Sequence, residues 1–355
     1  MTDRVRYAVI GCGSVGPVHA HAVAECPDAE LVAVCDVVPE RADRCAERHG
    51  ATACYDHEEM LQRQRPDAVS VCTPHHTHAD LTCDCLRAGA DVLCEKPLAI
   101  RPDDIERMLR TARSEGRKLA GVFQHRFDPV TAAMKRAVSE GLFGQLLNAG
   151  ASIRCYRGPD YYRSGEWRGT WAGEGGAVLI NQAIHSIDVM QWLAGPVKSV
   201  FGRQTNLRLA DCIETEDTAS ASLEFANGAM GSIEATASSH LDFDAAVHFY
   251  GTGGSFRLTT GGRDELEFLR VEEEEAAERV QELLAEAAQE DQSAAMGKAC
   301  YGTSHGRQIA DFVDAVANGH EPTVTGDDAR HAVEVVLAVY ESARKGRPVE
   351  LNGAG

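Results

Sequence analysis

Apolar and polar positions follow two different patterns along this chain, and the change between them falls near residue 122. Before it, short unbroken apolar runs at 5–10, 31–35, 68–72, 92–94 and 119–122 predict strands. Between them, charged faces at helical spacing over 19–25, 40–49, 58–64, 79–88 and 103–115 predict helices. Strands buried on both faces carry no alternation, and a helix after each supplies the crossover that parallel strands need. The boundary chemistry agrees. Asp56 with Glu59 forms a capping box, Pro102 suits a first helical turn, and Gly50, Gly89 and Gly116 follow helix ends. Residues 1–122 therefore predict a doubly wound parallel sheet of the Rossmann type.

Beyond residue 122 period-2 alternation takes over. Asp128-Pro129 opens a helix ending near Gly141, and alternating runs follow at 146–156, 197–207 and 218–225. The stretch LEFANGAMGSIEA (223–235) joins two strand-like runs at Asn227-Gly228, a strong hairpin signal. Four consecutive glutamates from Glu272 open an acidic helical segment reaching residue 292, and 305–318 and 327–345 read as closing helices. The prediction for 123–355 is a mostly antiparallel open-sheet α+β domain whose open face calls for oligomerisation, with residues 305–345 packing back toward the first domain.

Length supports two cores rather than one, since the chain has 355 residues. A net charge of −19 argues against nucleic acid or an anionic membrane surface as the main partner, because both attract basic patches. No signal-peptide pattern and no long apolar span is evident, so a cytoplasmic location is expected. The twelve cysteines are scattered through strand-like and helix-like segments, where a free thiol acts as a small hydrophobe. Cys83 and Cys85 lack a second pair at zinc spacing, and no metal site is expected.

The candidate chemistry sits at strand ends. AVIGCGSVG holds Gly11, Gly13 and Gly16 as G-x-G-x-x-G, with Cys12, Ser14 and Val15 between them, directly after a strand and opening a helix. Gly11 allows the tight turn, Gly13 the approach of a pyrophosphate, and Gly16 close helix–strand packing. Asp36 ends the next strand, where a carboxylate accepts from ribose hydroxyls and repels a 2′-phosphate. It favours NAD, with NADP possible through Arg41. CTPHHTHAD follows the 68–72 strand, so Thr73, Pro74, His75 and His78 read as cofactor-lining or helix-capping groups. CEKPLAI ends the 92–94 strand and presents Glu95 and Lys96, whose ammonium can polarise a substrate oxygen. Pro97 restricts Lys96 to an extended conformation. GGAVLINQAIHSIDVMQWLAGP predicts one helix over 178–194. It places Asn181, His185 and Asp188 at i, i+4 and i+7, where His185 is either a core histidine or a proton acceptor.

In this order, GCGSVG, Asp36, CTPHHTHAD, CEKP, GGAVLINQAIHSIDVMQWL and the closing GRQIADFVDAVANGHEPTVTGDDARHAVEVVLAVYESARKG resemble the Gfo/Idh/MocA oxidoreductase family over nearly the whole chain. The resemblance implies NAD(P)-dependent oxidation or reduction of a sugar, cyclitol or sugar-like carbonyl. It implies that Lys96 contacts the reacting oxygen and that His185 transfers the proton. Many members carry aspartate where this chain has Asn181, so a Lys–Asp–His relay does not carry over, and Asn181 becomes a substrate-orienting amide. Gln124 and Arg126 of QHRF, with Tyr156, Trp167 and Arg168 of YRGPDYYRSGEWRGTW, are implied to line the substrate pocket beside Lys96, Asn181 and His185. Arg154, Arg157, Arg163 and Arg168 suit either the carboxylate or phosphate of an anionic sugar, such as a uronate or nucleotide sugar, or pairing with surface acids. The family also implies a homodimer or homotetramer. Three alternatives share the fold: an NADPH-dependent carbonyl reductase, a glycosidase using NAD for transient oxidation, and a non-catalytic nucleotide-sensing regulator.

Overall fold

The structure, a computed structural model, describes residues 4–260, 264–293 and 304–351. The chain divides into two compact units, Met1–Gln124 with Tyr301–Arg330, and His125–Cys300 with His331–Gly355.

The first unit holds a six-stranded parallel sheet made of β1 (Val5–Ile10), β2 (Ala29–Cys35), β3 (Thr52–Cys54), β4 (Ala68–Val71), β5 (Asp91–Cys94) and β6 (Leu119–Gly121). Its order is β3-β2-β1-β4-β5-β6. The direction of winding reverses at β1 and β4, and a crevice opens beyond the carboxyl ends of strands at such a reversal. The connecting helices are α1 (Gly16–Glu25), α2 (Pro39–His49), α3 (His57–Gln64), α4 (His78–Arg87) and α5 (Pro102–Glu115). Asp56 caps α3 by accepting from the Glu59 amide at 2.8 Å, and Gly50 and Gly116 close α2 and α5 in the left-handed conformation. β3 escapes the apolar pattern because it has three residues at the sheet edge, none of them fully buried. α10 (Ser304–Asn318) belongs to this unit. Its Ile309, Phe312 and Val313 join the core of Tyr7 and Val9, and Gln308 donates to the Gly121 carbonyl and accepts from the Phe123 amide.

The second unit is a mixed, mostly antiparallel sheet. Its strands are β7 (Leu146–Tyr156), β8 (Val197–Thr205), β9 (Thr218–Phe225), β10 (Met230–Thr236), β11 (Ser238–Gly251), β12 (Gly254–Thr259), β13 (Leu266–Val271) and β14 (Val349–Glu350), in the order β13-β12-β11-β7-β10-β9-β8-β14. Only β7 and β10 run parallel. Asn227-Gly228 makes the β9–β10 hairpin, with Gly228 at φ 85°. β8 stops two residues short of the predicted end because the Leu207, Arg208 and Leu209 amides all donate to Asp217, which turns the chain away. The helices are α6 (Pro129–Ser139), α7 (Pro159–Arg163), α8 (Ile184–Ala194), the acidic α9 (Glu274–Ser293) and most of α11 (Gly326–Lys345). Ile184, Ile187, Val189 and Met190 of α8 are fully buried, and α8 packs on β7 and β11.

One predicted helix is corrected. Residues 178–194 are not a single α-helix, because Val178–Ala183 winds as a π-helical turn before α8 begins. Glu216 explains it. This buried carboxylate accepts from the Ala177 amide at 3.1 Å and the Leu179 amide at 3.0 Å, so it holds the amides that would start an ordinary helix. Burial pushes its pKa up to about 7, and the Tyr340 hydroxyl donates to it at 2.7 Å. The chain enters this turn through Gly176 at φ 145°, where a Cβ would lie 2.0 Å from the Tyr340 oxygen.

Candidate active site

In the first unit the three glycines of the β1–α1 turn serve different ends. A Cβ on Gly11, at φ 96°, would meet the Cys72 carbonyl oxygen at 2.5 Å, and one on Gly16 would lie 1.8 Å from the Gly11 oxygen. A Cβ on Gly13 would meet nothing within 4 Å. Protein packing thus demands glycine at two positions, while at the third it leaves the open cradle that a pyrophosphate needs. Among the described residues no side chain caps α1, so its first amides remain available to an anion. Asp36 ends β2, and its carboxylate accepts from the Cys12 amide at 2.7 Å and the Val38 amide at 2.9 Å. The same carboxylate therefore braces the glycine turn and keeps lone pairs for a ribose, since a carboxylate has about four acceptor sites. These residues fit a dinucleotide.

After β4, Thr73 and Pro74 lead into a short 3-10 turn, His75–Thr77, with Thr73 bonded to Thr77 at 2.7 Å between hydroxyls. His75 is buried and its ring lies 5.8 Å from that of His78. His78, at the head of α4, bonds to the two flanking loops. It is fully buried, with Nδ1 2.8 Å from the Pro97 carbonyl oxygen and Nε2 2.9 Å from that of Thr73. Burial lowers its pKa, so the neutral ring donates from one nitrogen at a time and ties the Thr73 and Pro97 loops together.

Glu95 is likewise turned inward. Its Oε1 lies 3.0 Å from His19 Nε2, and its Oε2 accepts from the Lys96 amide at 3.0 Å. Burial opposes its charge, but the His19 hydrogen bond and the fields of His19, His305 and Lys96 hold its pKa down at about 2. His19 Nδ1 contacts Ser70, which contacts Tyr7, so a buried polar chain runs from β1 to the Lys96 backbone. The ligand atoms of His19, Glu95 and His305 lie within 4.8 Å of one another, a spacing that could hold a metal, yet both nitrogens of His19 are already engaged. His19 lay unnoticed among the apolar residues of α1. Lys96 is half-buried and precedes Pro97 through a cis peptide bond. Gln124, at the head of a 3-10 turn, is buried.

In the second unit the expected substrate residues separate into two groups. Arg126 belongs to the first group. It is buried in an ion pair with Asp188, Nε to Oδ2 at 2.8 Å and Nη2 to Oδ1 at 2.6 Å, and its guanidinium lies over Trp192. A bidentate buried pair is a structural clamp, and it withdraws Asp188 from the stripe shared with His185. Tyr156 is exposed at the end of β7, stacked on His240, and accepts from Arg208 at 2.6 Å.

Asn181, Trp167 and Arg168 belong to a connected network. Asn181 Nδ2 donates to Glu174 Oε1 at 2.5 Å and to the Tyr161 oxygen at 3.1 Å. Glu174 is fully buried, and its Oε2 accepts from the Gly169 amide at 2.5 Å. Both Glu174 oxygens accept here, which orients the amide of Asn181. Two donor contacts of its amide nitrogen thus hold Asn181 in place. The Tyr161 oxygen also accepts from Arg168 at 2.6 Å and Gln182 at 3.2 Å, and Arg168 lies over the rings of both Tyr161 and Trp167. Tyr161 falls within the loop YRGPDYYRSGEWRGTW, whereas Glu174 was missed. Glu174, between glycines in TWAGEGG, reads as a surface acid.

His185, on the first turn of α8, is half-buried, and its ring meets His125 edge-on at 5.2 Å. His125 Nδ1 lies 2.5 Å from Asp128 Oδ2.

Comparison with known proteins shows the family of the chain. Residues 5–123 match the oxidoreductase family model GFO_IDH_MocA, described as an NAD-binding Rossmann fold, and residues 135–351 match that family's C-terminal alpha/beta domain. A myo-inositol 2-dehydrogenase of Thermotoga maritima is 27% identical over 98% of each chain. A scyllo-inositol 2-dehydrogenase (NAD(+)) of Bacillus subtilis is 29% identical over 99% of this chain and 98% of that one. The crystal structure of the WlbA dehydrogenase of Bordetella pertussis, in complex with NADH and UDP-GlcNAcA, superposes with a TM-score of 0.88 at 28% identity and covers 99% of each chain.

Proposed function

Since the chain belongs to the Gfo/Idh/MocA oxidoreductase family, we propose that it transfers a hydride between NAD and a secondary alcohol or ketone of a sugar, cyclitol or sugar derivative. The observation that carries this is the glycine turn, in which Gly13 alone meets no packing demand, braced by Asp36. Relatives named as inositol and glucoside dehydrogenases support the substrate class.

When bound, the nicotinamide supplies the hydride acceptor. In the proposed reaction the Lys96 ammonium donates a hydrogen bond to the reacting oxygen and stabilises its developing negative charge. A ring nitrogen of His185 takes the hydroxyl proton, and in the reverse direction returns it. Asn181 orients the substrate as an amide whose own position is fixed by Glu174 and Tyr161. Asp36 selects NAD over NADP by repelling a 2′-phosphate, in line with its buried position and its two backbone bonds.

The proposal extends to assembly. The solvent face of the eight-stranded sheet carries Phe201, Met230, Tyr250 and Phe268, all exposed, among small partners such as Ser222, Ser232 and Gly150. A broad open sheet face of this kind, which mixes these side chains with Arg203, Glu224, Glu234 and Arg257, fits a homodimer or homotetramer, which light scattering would detect. Among the described residues no helix is long and apolar enough to cross a membrane, and eleven cysteines are free, which suits the reducing cytoplasm.

The test is an NAD-reduction assay over inositols, hexoses, glycosides, uronates and nucleotide sugars. Turnover of at least one class with NAD, and weaker use of NADP, is expected. No turnover of any class despite tight NAD binding would refute the reading in favour of a nucleotide sensor.

A further inference from the structure

We propose that Arg157 and Arg168 form an oxyanion subsite, so that the substrate carries a carboxylate or phosphate besides the alcohol that is oxidised. This rests on the dehydrogenase reading above and specifies its substrate.

Four arginines flank this part of the second unit, and the structure divides them. Arg154 pairs with Glu234 at 2.8 Å and Asp244 at 3.6 Å, and Arg163 with Asp160 at 3.7 Å. Among the described residues no carboxylate pairs with Arg157 or Arg168. Both lie over one aromatic ring, with the guanidinium carbon of Arg157 at 5.3 Å and that of Arg168 at 4.4 Å from the Tyr161 centroid. Arg157 donates to the Tyr156 carbonyl at 3.1 Å and to Gln182 Oε1 at 2.9 Å, and Arg168 to the Tyr161 oxygen at 2.6 Å. Every one of these acceptors is neutral. The Arg157 Nε–H is buried with no partner at all.

Two cations held beside one ring repel each other, and each retains donors that a neutral acceptor satisfies poorly. A chain with net charge −19 has acids in abundance, but none is spent here. Glu174, the carboxylate built into this network, goes instead to Asn181 and the Gly169 amide. A carboxylate or phosphate supplies what is lacking, because it compensates both charges and accepts from the guanidinium edges. The position within the site follows from Tyr161. Its oxygen accepts from both Arg168 and Asn181, so the cation pair stands one side chain away from the substrate-orienting amide.

The experiment compares matched substrates in the NAD-linked assay: glucose, glucuronate and glucose 6-phosphate, with myo-inositol as a further neutral control. The wild-type protein is expected to favour one of the anionic sugars over glucose by at least about tenfold in kcat/KM, with a preference that weakens as salt rises. In Arg157→Gln/Arg168→Gln the preference should collapse, mainly through KM, while Arg168→Lys keeps the charge and part of the effect. The glucuronate and phosphate arms separate the two sources of the oxyanion. Equal use of neutral and anionic sugars by the wild-type protein would overturn the proposal, and this arm needs no variant to fold. If no sugar is oxidised, the dehydrogenase reading fails on its own, and the subsite is judged by binding. Glucuronate or inorganic phosphate should then raise the thermal midpoint of the wild-type protein and not that of the double variant. An equal shift in both, or none in either, would refute it.

Discussion

Replacing Glu174 by glutamine keeps the shape of the side chain and removes its charge. The carboxylate is fully buried and receives two donors, Asn181 Nδ2 and the Gly169 amide, each at 2.5 Å. Glutamine has one oxygen and one NH2, so one of these donors must face another donor. A hydrogen bond to a charged acceptor is worth about 1.5–3 kcal/mol, against roughly 1 for a neutral pair. Losing one bond and weakening the other therefore costs about 2–4 kcal/mol, and part of that loss falls on the orientation of Asn181. At 1.36 kcal/mol per decade, kcat/KM should fall by roughly ten- to a hundredfold in Glu174→Gln, with a lower thermal midpoint. The same geometry makes a sharper statement about Asn181→Asp, which installs the carboxylate many relatives carry. It would set two acids at hydrogen-bond distance, where both cannot be ionised, so activity should be lost as pH rises. Adding Glu174→Gln to Asn181→Asp should restore it, because the glutamine NH2 can donate to the new carboxylate. Steady-state kinetics and thermal unfolding of the two single variants and the double complete the cycle. If Glu174→Gln matches the wild-type protein in both assays, or if the two substitutions are simply additive, Glu174 does not orient Asn181.

Two further predictions concern the scaffold. Gly13→Ala should leave thermal stability nearly unchanged and weaken NAD binding, whereas Gly16→Ala should destabilise the protein outright, since its Cβ would lie 1.8 Å from the Gly11 oxygen; calorimetry with and without NAD separates these effects. Glu216 has a folded pKa of about 7, raised by burial from the 4.5 of a free glutamate, so the native state binds more protons than the unfolded state between those values. Its contribution is fully present below about pH 4.5 and is lost as pH rises through about 7, a change on the order of 3 kcal/mol. Glu216→Gln, whose oxygen can replace the Oε1 that accepts from Ala177, Leu179 and Tyr340, should flatten that slope in urea unfolding, and an unchanged slope would contradict the assignment.

What the sequence disclosed and what it hid have a common physical basis. Buried parallel strands and capped helices follow local patterns, so β1, β4, β5 and their crossovers were readable, while β3 has too few residues to carry a period. The hairpin at Asn227-Gly228 was readable because two adjacent residues decide it. The π turn was not, because its cause, Glu216, lies 37 and 39 positions from the amides it captures. The pairing of Arg126 with Asp188, 62 positions apart, is hidden for the same reason. Glu174 is only seven positions from Asn181, but it precedes the π turn, so no helical spacing connects them. Its one visible signal was a charge enclosed by glycines just before an apolar helix.

The central claim is that Lys96 and His185 carry the proton chemistry of an NAD-linked oxidation. The direct measurement is turnover and NAD binding side by side in Lys96→Ala and His185→Ala, on whichever substrate the wild-type protein oxidises. Both variants should bind NAD within a few fold of the wild-type protein and lose about 10²–10⁴ in kcat, the range expected on removing a positioned acid or base. Full activity in both variants would contradict the account.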